Sequence, residues 1–534
     1  MTASFSVAEN PCVPARTSHG HEMLSLRQLL TRAHRIEDLA LPLPPAQSSL
    51  LRILTVITAR LTGLDDPHLP RATWTRRRNE LLQAGHGFDP DTIDTYLNAH
   101  VFDLFDPHRP FLQDPRLRTQ CVKRAGVNAL AWGRPAGNNT VWRTGDHSDS
   151  TPHPLPSHEA FWHLLIHHYY GPSGRCSTRT VPGFHPAKDP GLSSGPLRST
   201  LSFHPQGRTL YETLLLHLTP SPGDTEDLDE PAHTPDACPW EEDLPDLLAP
   251  PPPLTWPGRL LTGRSRHAVL LEPDPAGAHV TDAYLTWATF HPRQPATDPH
   301  HIIDTQPGKD AAQRDIPRRA DADRALWRDL DALLLAGDET SGSRRPTVFA
   351  TLNDLPGTVQ DHLRVRVCGF DQDPKVNNRL WYTALTPPLW NWAQSSDPQA
   401  AARIAAARIA AESYAALLAK LTTTAWQSTL NPRNNNARPA RHGRTPPCRW
   451  TRAALAAYWP AAETTFWELI HAGAPGDDIR PASARTAVAA LRTATRDDLI
   501  RHPHAGPALA RAVIALRAAA SDRPRTPGER RGHP

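Results

Sequence analysis

Lysine is nearly missing. Only five of the 58 basic residues are Lys, at 123, 188, 309, 375 and 420, and the other 53 are Arg. With the abundance of Ala and Pro, this reads as the codon bias of a GC-rich genome, so arginine enrichment is not by itself a sign of phosphate binding. Cysteine is scarce and scattered: six residues, at 12, 121, 176, 238, 368 and 448, with no CxxC pair. In a chain of 534 residues that argues against a disulfide scaffold or a zinc ribbon. No apolar run reaches the ~18 residues a membrane span needs. The opening MTASFSVAENPCVPAR lacks the charged start and apolar stretch of a secretory signal, so a soluble cytoplasmic protein is expected. Gly-x4-Gly-Lys-Ser/Thr is absent, and no GxGxxG follows a strand, which leaves nucleotide hydrolysis and dinucleotide binding without support.

What is present is length and proline. A chain of 534 residues, 39% hydrophobic and with 15 Trp, can build sizeable cores in roughly two to four domains. Its 57 prolines are about twice the usual ~5%, so short helices and long connections are expected wherever they cluster. Charge is uneven. From Thr386 onward lie 20 Lys/Arg against 10 Asp/Glu, about +10, while the preceding part carries 38 against 45, about −7. A basic C-terminal part on an acidic body suits a polyanion-facing module; an Arg-rich helical face dictated by codon bias reads equally well.

Periodicity places the elements. Ser25-Leu-Arg-Gln28 reads as a capping box ahead of a helix whose apolar stripe is Leu26, Leu29, Leu30, Ala33 and Ile36. SSLLRILTVITARLTGL (48–64) reads as a buried helix, and SHEAFWHLLIHHYY (157–170) as another, ended by Gly171-Pro-Ser-Gly174. Residues 115–155 and 171–209 read as loop, TLYETLLLHL (209–218) as a helix, and 219–253 as an acidic, Pro-rich linker. HAVLLEP, AYLTWATF and LRVRVCGF read as short strands around one helix, ADRALWRDLDALLL (322–335). After 386, four Ala-rich helices with polar connections suggest a four-helix bundle.

Three chemical signals stand against plainer readings. Gly191-Leu-Ser193-Ser-Gly195 matches GxSxG, but HPAKDP before it and GPLRS after it supply neither the strand nor the helix of a nucleophile elbow. His163 and His167 share a helical face at i, i+4, yet no Glu follows His163 to make HExxH, and no third ligand is close in sequence. A hydrolase using Ser193 or a His163/His167 metal is the alternative kept. Third, three polar, Gly-containing loops lie between apolar elements: Lys123-Arg124 through Val127, Asn128 and Trp132; Gly171–Arg175 extending to Lys188; and Cys368 through Lys375. Glycine lets a backbone approach a phosphate or groove edge, and Arg or Lys neutralises it.

These loops sit in a recognisable order. FSVAENPCVPA with LSLRQLLTRAHRI, FDLFDPHRPFLQDP (102–115), Gly171–Gly174, Gly207-Arg-Thr-Leu-Tyr-Glu-Thr-Leu-Leu-Leu-His-Leu218 and ADRALWRDLDALLL together resemble the CasA family, the large subunit of the type I-E CRISPR surveillance complex, Cascade. Cys12 stands where a Trp is usual in that family. The resemblance implies an α+β fold: a large mixed α/β domain (1–385), a four-helix bundle (386–522) and a disordered tail (523–534). It implies no catalysis and no cofactor. Its partners would be other Cascade subunits, the guide RNA, target double-stranded DNA and a helicase-nuclease, with no membrane. A purely structural scaffold is a further alternative.

The family's motif-reading loops map onto Gly171, Pro172, Ser173, Gly174 and Arg175, and onto Gly369, Phe370, Asp371, Gln372, Asp373, Pro374 and Lys375. Gln372 or Pro374 would wedge under the first base pair, where unstacking costs a few kcal/mol. Lys123, Arg124, Val127, Asn128, Trp132 and Lys188 would contact phosphate or the guide. A further basic determinant in 256–300 has no position assigned by the sequence.

Overall fold

The computed structural model describes residues 3–134, 152–221, 235–307, 313–335, 343–372, 378–389, 393, 397–430, 447–501 and 505–521. The chain divides into two compact units. The first comprises Met1–Leu326 with Gly337–Asn391, the second Trp327–Ala336 with Trp392–Pro534. The fold is α+β, with helices around small antiparallel sheets. Among the described residues no helix is long and apolar enough to cross a membrane.

The first unit is built on helix Pro44–Thr62, whose residues 44–59 are all buried. Prolines open it where their missing N–H costs nothing, and Gly63, at φ 63°, closes it in the left-handed conformation. Arg52 lies in the middle of this helix with no exposed surface, forked onto Asp298 through Nε (2.9 Å) and Nη2 (2.8 Å). Burial alone would raise the Asp298 carboxyl; the Arg52 guanidinium overrides it and holds the group well below its usual range. The capping box forms as the sequence predicts: Ser25 Oγ accepts from Gln28 N, and Gln28 Oε1 accepts from Ser25 N.

Among the described residues the strands form four three-stranded sheets. The one that matters for the site has strand Arg364–Gln372 at its centre, between Asn378–Leu385 and Leu201–Gln206, all antiparallel. Leu201–Gln206 lies inside the stretch read as loop. Pro205 survives there because the strand is at the edge of its sheet, where no ladder hydrogen bond is lost. The 115–155 stretch likewise holds two short helices, Leu117–Gln120 and Val127–Leu130.

In the second unit, helices Pro398–Leu430, Arg449–His471, Gly476–Thr495 and Ala505–Ala518 pack on one another. The long helix buries Ala400, Ile404, Ala407, Ala411, Tyr414, Leu418 and Thr422, a three-to-four spacing on which small side chains let neighbours approach closely. The expected single helix over 322–335 is a 3-10 segment, Leu326–Asp329, followed by the five-residue helix Leu330–Leu334. A boundary at 385 would leave its residues 327–335 in the first domain, but they pack in the second unit. Arg328 forks onto Glu412 (2.7 and 2.9 Å) and lies 3.8 Å over the Trp459 ring, and Asp331 accepts from Arg408 at 2.7 Å. The tail at 523–534 lies outside the described residues.

Candidate nucleic-acid interface

The glycine turn follows directly from helix Ser157–Tyr170. A Cβ at Gly171 would lie 2.2 Å from His267 Cε1 and 2.5 Å from the His167 carbonyl, so only glycine fits there. Its carbonyl accepts from Gly195 N at 2.9 Å, and Gly195 itself presses on the Tyr169 carbonyl, 2.4 Å from where a Cβ would sit. Gly174 and Leu192 exchange both backbone hydrogen bonds, at 3.0 and 2.8 Å. The GxSxG stretch is therefore the backing of the turn. No helix follows Ser193, and His267 Nε2 reaches its backbone carbonyl at 3.0 Å rather than its hydroxyl, so the elbow geometry is not formed. Gly174 differs from Gly171: nothing lies within 4 Å of a Cβ, but its φ of 151° strains any side-chain-bearing residue. Gly174, Arg175 and Lys188 are exposed, and Pro172 and Ser173 half-buried.

The second segment departs from expectation. Gly369 to Gln372 is strand, not loop, and all four residues are buried. Gly369 makes room for the Tyr382 ring, 2.4 Å from where a Cβ would sit. Asp371 accepts from Ala322 N at 3.2 Å. Gln372, read as a wedge, is turned inward with 5% exposure. Its Oε1 accepts from Ser199 N (3.2 Å), and its Nε2 donates to the Tyr170 carbonyl (3.3 Å) and to Asn378 Oδ1 (2.8 Å). Its amide is spent tying the strand end to the end of the helix that precedes the glycine turn. Asp373, Pro374 and Lys375, in the connection to strand Asn378–Leu385, lie outside the described residues.

The third segment is also more inward than its loop reading. Val127 and Asn128 are buried in the short helix, so they present no side chain to a guide strand. Arg124 is exposed but lies 5.7 Å over the Tyr284 ring and 3.5 Å from Asp282 Oδ2, while Lys123 is exposed. Trp132 N donates to His163 Nδ1 at 3.2 Å, and His167 Nε2 donates to the Leu130 carbonyl at 3.0 Å. Burial pushes His163 down to about 3 and His167 to about 4. The two imidazoles suspected of binding a metal instead clamp residues 130–132 to the helix.

All three segments meet on one aromatic cluster. Phe370 has ring centroids 5.5 Å from Trp132, 6.0 Å from Tyr170 and 5.5 Å from Trp381, and Trp132 stands 5.0 Å from His167. Each aromatic pair of this kind contributes about 0.5–1.5 kcal/mol beyond burial, so the cluster fixes the segments relative to one another. Sequence reasoning missed the struts beneath it. Ser199, at φ 62°, donates through Oγ to the Gln372 carbonyl (2.7 Å), and Arg198 donates to Tyr170 O (3.2 Å). No local pattern marks either residue. It also missed Arg293, which donates to the Ser194 carbonyl behind the turn and, with Arg264 and Arg266, lines a cavity of about 450 Å³.

Comparison with known proteins bears on this arrangement. The family model described as CRISPR-associated protein Cse1 matches residues 8–499. A curated CasA/Cse1 from Thermus thermophilus is 27% identical over 379 residues, 67% of this chain but only 64% of that relative's length. A chain from a solved CRISPR RNA-guided surveillance complex is 39% identical, covering 96% of this chain and 99% of its own, with a TM-score of 0.82. Thermus thermophilus CasA (Cse1) shares the fold at 22% identity and a TM-score of 0.67, covering 96% of this chain and 99% of its own. With a family match over nearly its whole length, the chain belongs to the CRISPR-associated Cse1 family.

Proposed function

We propose that this chain is the non-catalytic large subunit of a type I-E Cascade. In this role it reads the short motif beside the target in double-stranded DNA, helps open the duplex and recruits the helicase-nuclease. The observation that carries the reading is the glycine turn: an open, rigidly backed backbone at Gly174 with Arg175 exposed beside it. A groove edge can approach such a backbone closely, while Arg175, Lys123 and Lys188 neutralise phosphates. Arg293, in the 256–300 stretch, is the basic residue that joins them from behind the turn. With Gln372 spent internally, the wedge falls to Pro374 in the strand connection, an apolar residue suited to unstacking a base step. Sequence recognition itself belongs to guide pairing, as in guided systems generally. The helical unit, as a four-helix bundle, takes the target duplex or displaced strand.

The test is duplex affinity of a guide-loaded complex lacking its large subunit, with and without this protein. Targets carry matched or scrambled flanking motifs. Restored, motif-dependent binding is expected, with discrimination reduced in Gly174→Val and Arg175→Glu. Binding restored without motif dependence, and unchanged in both variants, would establish a scaffold instead.

A further inference from the structure

The first unit holds a second cluster of chemistry that the aromatic site does not use. His204 lies in strand Leu201–Gln206, His217 follows helix Leu210–Leu216, and His300 belongs to the buried segment after Asp298. One ring nitrogen of each lies within 4.8 Å of those of the other two. The ring centroids are 4.7, 5.1 and 5.2 Å apart. None of the three is more than 1% exposed.

Their outer hydrogen bonds set the tautomers. His217 Nε2 meets the Pro205 carbonyl at 3.1 Å; a carbonyl only accepts, so Nε2 carries the proton and Nδ1 the lone pair. That Nδ1 is 3.3 Å from Thr55 Oγ1, whose proton is committed to the Leu51 carbonyl at 2.6 Å. His300 Nδ1 faces Asp298 Oδ1 at 3.2 Å, on the carboxylate that Arg52 holds ionised, so Nδ1 donates and Nε2 keeps its lone pair. His204 Nε2 faces Ser48 Oγ at 2.9 Å. His204 Nδ1 and His300 Nε2 have no hydrogen-bond partner although both are buried. Buried polar atoms are nearly always satisfied, so unpartnered imidazole nitrogens gathered in one place point to a ligand they share.

We propose that His204, His217 and His300 bind one divalent transition-metal ion of the zinc type. Neutral imidazoles suit that ion, and burial first, then mutual repulsion, keeps His204 neutral. The Asp298–His300 pair supplies the carboxylate that commonly orients a ligating ring. Metal–nitrogen distances of about 2.0–2.1 Å require the three nitrogens to draw together from their present spacing of up to 4.8 Å. The role is structural: the ion ties the strand and the end of the helix that follows it to the segment after Asp298, about 80 residues further on. Through the strand 201–206, which pairs with 364–372, it anchors the floor beneath the Gln372 strut.

The test uses the full-length chain without a histidine tag, purified without a metal column. Elemental analysis is expected to find close to one zinc per chain. Protein stripped by chelator and refilled with Co²⁺ should show the intense visible absorption of a tetrahedral site. Both signals should be lost in His204→Gln and in His300→Gln, and added Zn²⁺ should raise the unfolding midpoint of the stripped wild type but not of the variants. Negligible zinc together with no Co²⁺ uptake by the stripped wild type would overturn the proposal. So would metal that both variants retain, since it would then sit on other histidines. Should the variants not fold, X-ray absorption at the zinc edge of the wild type decides: three imidazole nitrogens with one further light donor such as water support the site, any other imidazole count or a sulfur donor refutes it. None of these readouts involves DNA, so failure here leaves the recognition reading untouched.

Discussion

Truncating Gln372 separates two roles that the same residue could play. In Gln372→Ala, Ser199 N–H loses its acceptor inside the protein, while Tyr170 O keeps Arg198 and Asn378, exposed, turns to solvent. One buried donor left unsatisfied costs about 1–3 kcal/mol, and one further net hydrogen bond about 1, so the variant should lose about 2–4 kcal/mol of local stability. Urea unfolding followed by tryptophan fluorescence should report it, because Trp132 and Trp381 both stand against Phe370. Hydrogen exchange gives a sharper reading: the Ser199 amide should exchange roughly 30- to 900-fold faster, the same free energy expressed as local opening. Motif discrimination should fall only in step with this loosening, and Gln372→Glu, which keeps an acceptor for Ser199 N but loses the donor to Tyr170 O and Asn378 Oδ1, should speed exchange at Ser199 less than the truncation does. A variant as stable as the wild type, with unchanged exchange at Ser199 but altered motif preference, would refute the strut and restore Gln372 as the wedge.

Other perturbations follow from the same geometry. The folded-state values of about 3 for His163 and about 4 for His167 lie below the ordinary 6.5, so their contribution to stability is complete above pH 6.5 and is lost as pH falls towards 4. The unfolding midpoint should drop across that window, and His167→Gln should flatten the drop; an unchanged slope would mean the ring titrates alike in the folded and unfolded chain and is not held neutral by burial. Arg52→Met should cost about 3–5 kcal/mol in chemical denaturation by stranding the Asp298 carboxylate, and Asp298→Asn in the same chain should recover part of it; simple additivity would deny the coupling. On helix 398–430, Arg403→Glu with Lys420→Glu should weaken duplex binding and make its salt dependence shallower, by about 0.9 in log–log slope for each phosphate no longer neutralised, measured by affinity across a salt series. Arg408 is unsuitable for that test because it holds Asp331.

Much of the fold was readable because local signals agreed with tertiary demands. Ser25 and Gln28 form the capping box their spacing predicts, and the apolar run at 48–64 is the buried helix it resembles. Strand Leu201–Gln206 was not readable. All six residues are buried, so no alternation marks it, and His204 and Pro205 are tolerated only because of partners far away in sequence. The same holds at 371–372, where a polar Asp-Gln reads as a turn but is satisfied by Ala322, Ser199 and Tyr170. The candidate site was legible as three loops, not as one cluster. Its aromatic centre joins residues up to 249 positions apart along the chain, from Trp132 to Trp381, and spacing alone cannot bring them together.

The meeting of Gly171 with Gly195 is a joint of backbone against backbone, with the His267 ring pressed against its Gly171 side. A joint of that kind offers selection nothing to adjust: its geometry is kept or lost whole. Variation is left to the neighbouring positions Pro172 and Ser173, half-buried, and Arg175, exposed, none of which is part of that backbone contact. If the turn reads the flanking motif as proposed, an engineer could randomise those three positions as a library on a fixed chassis and select for new motif preferences.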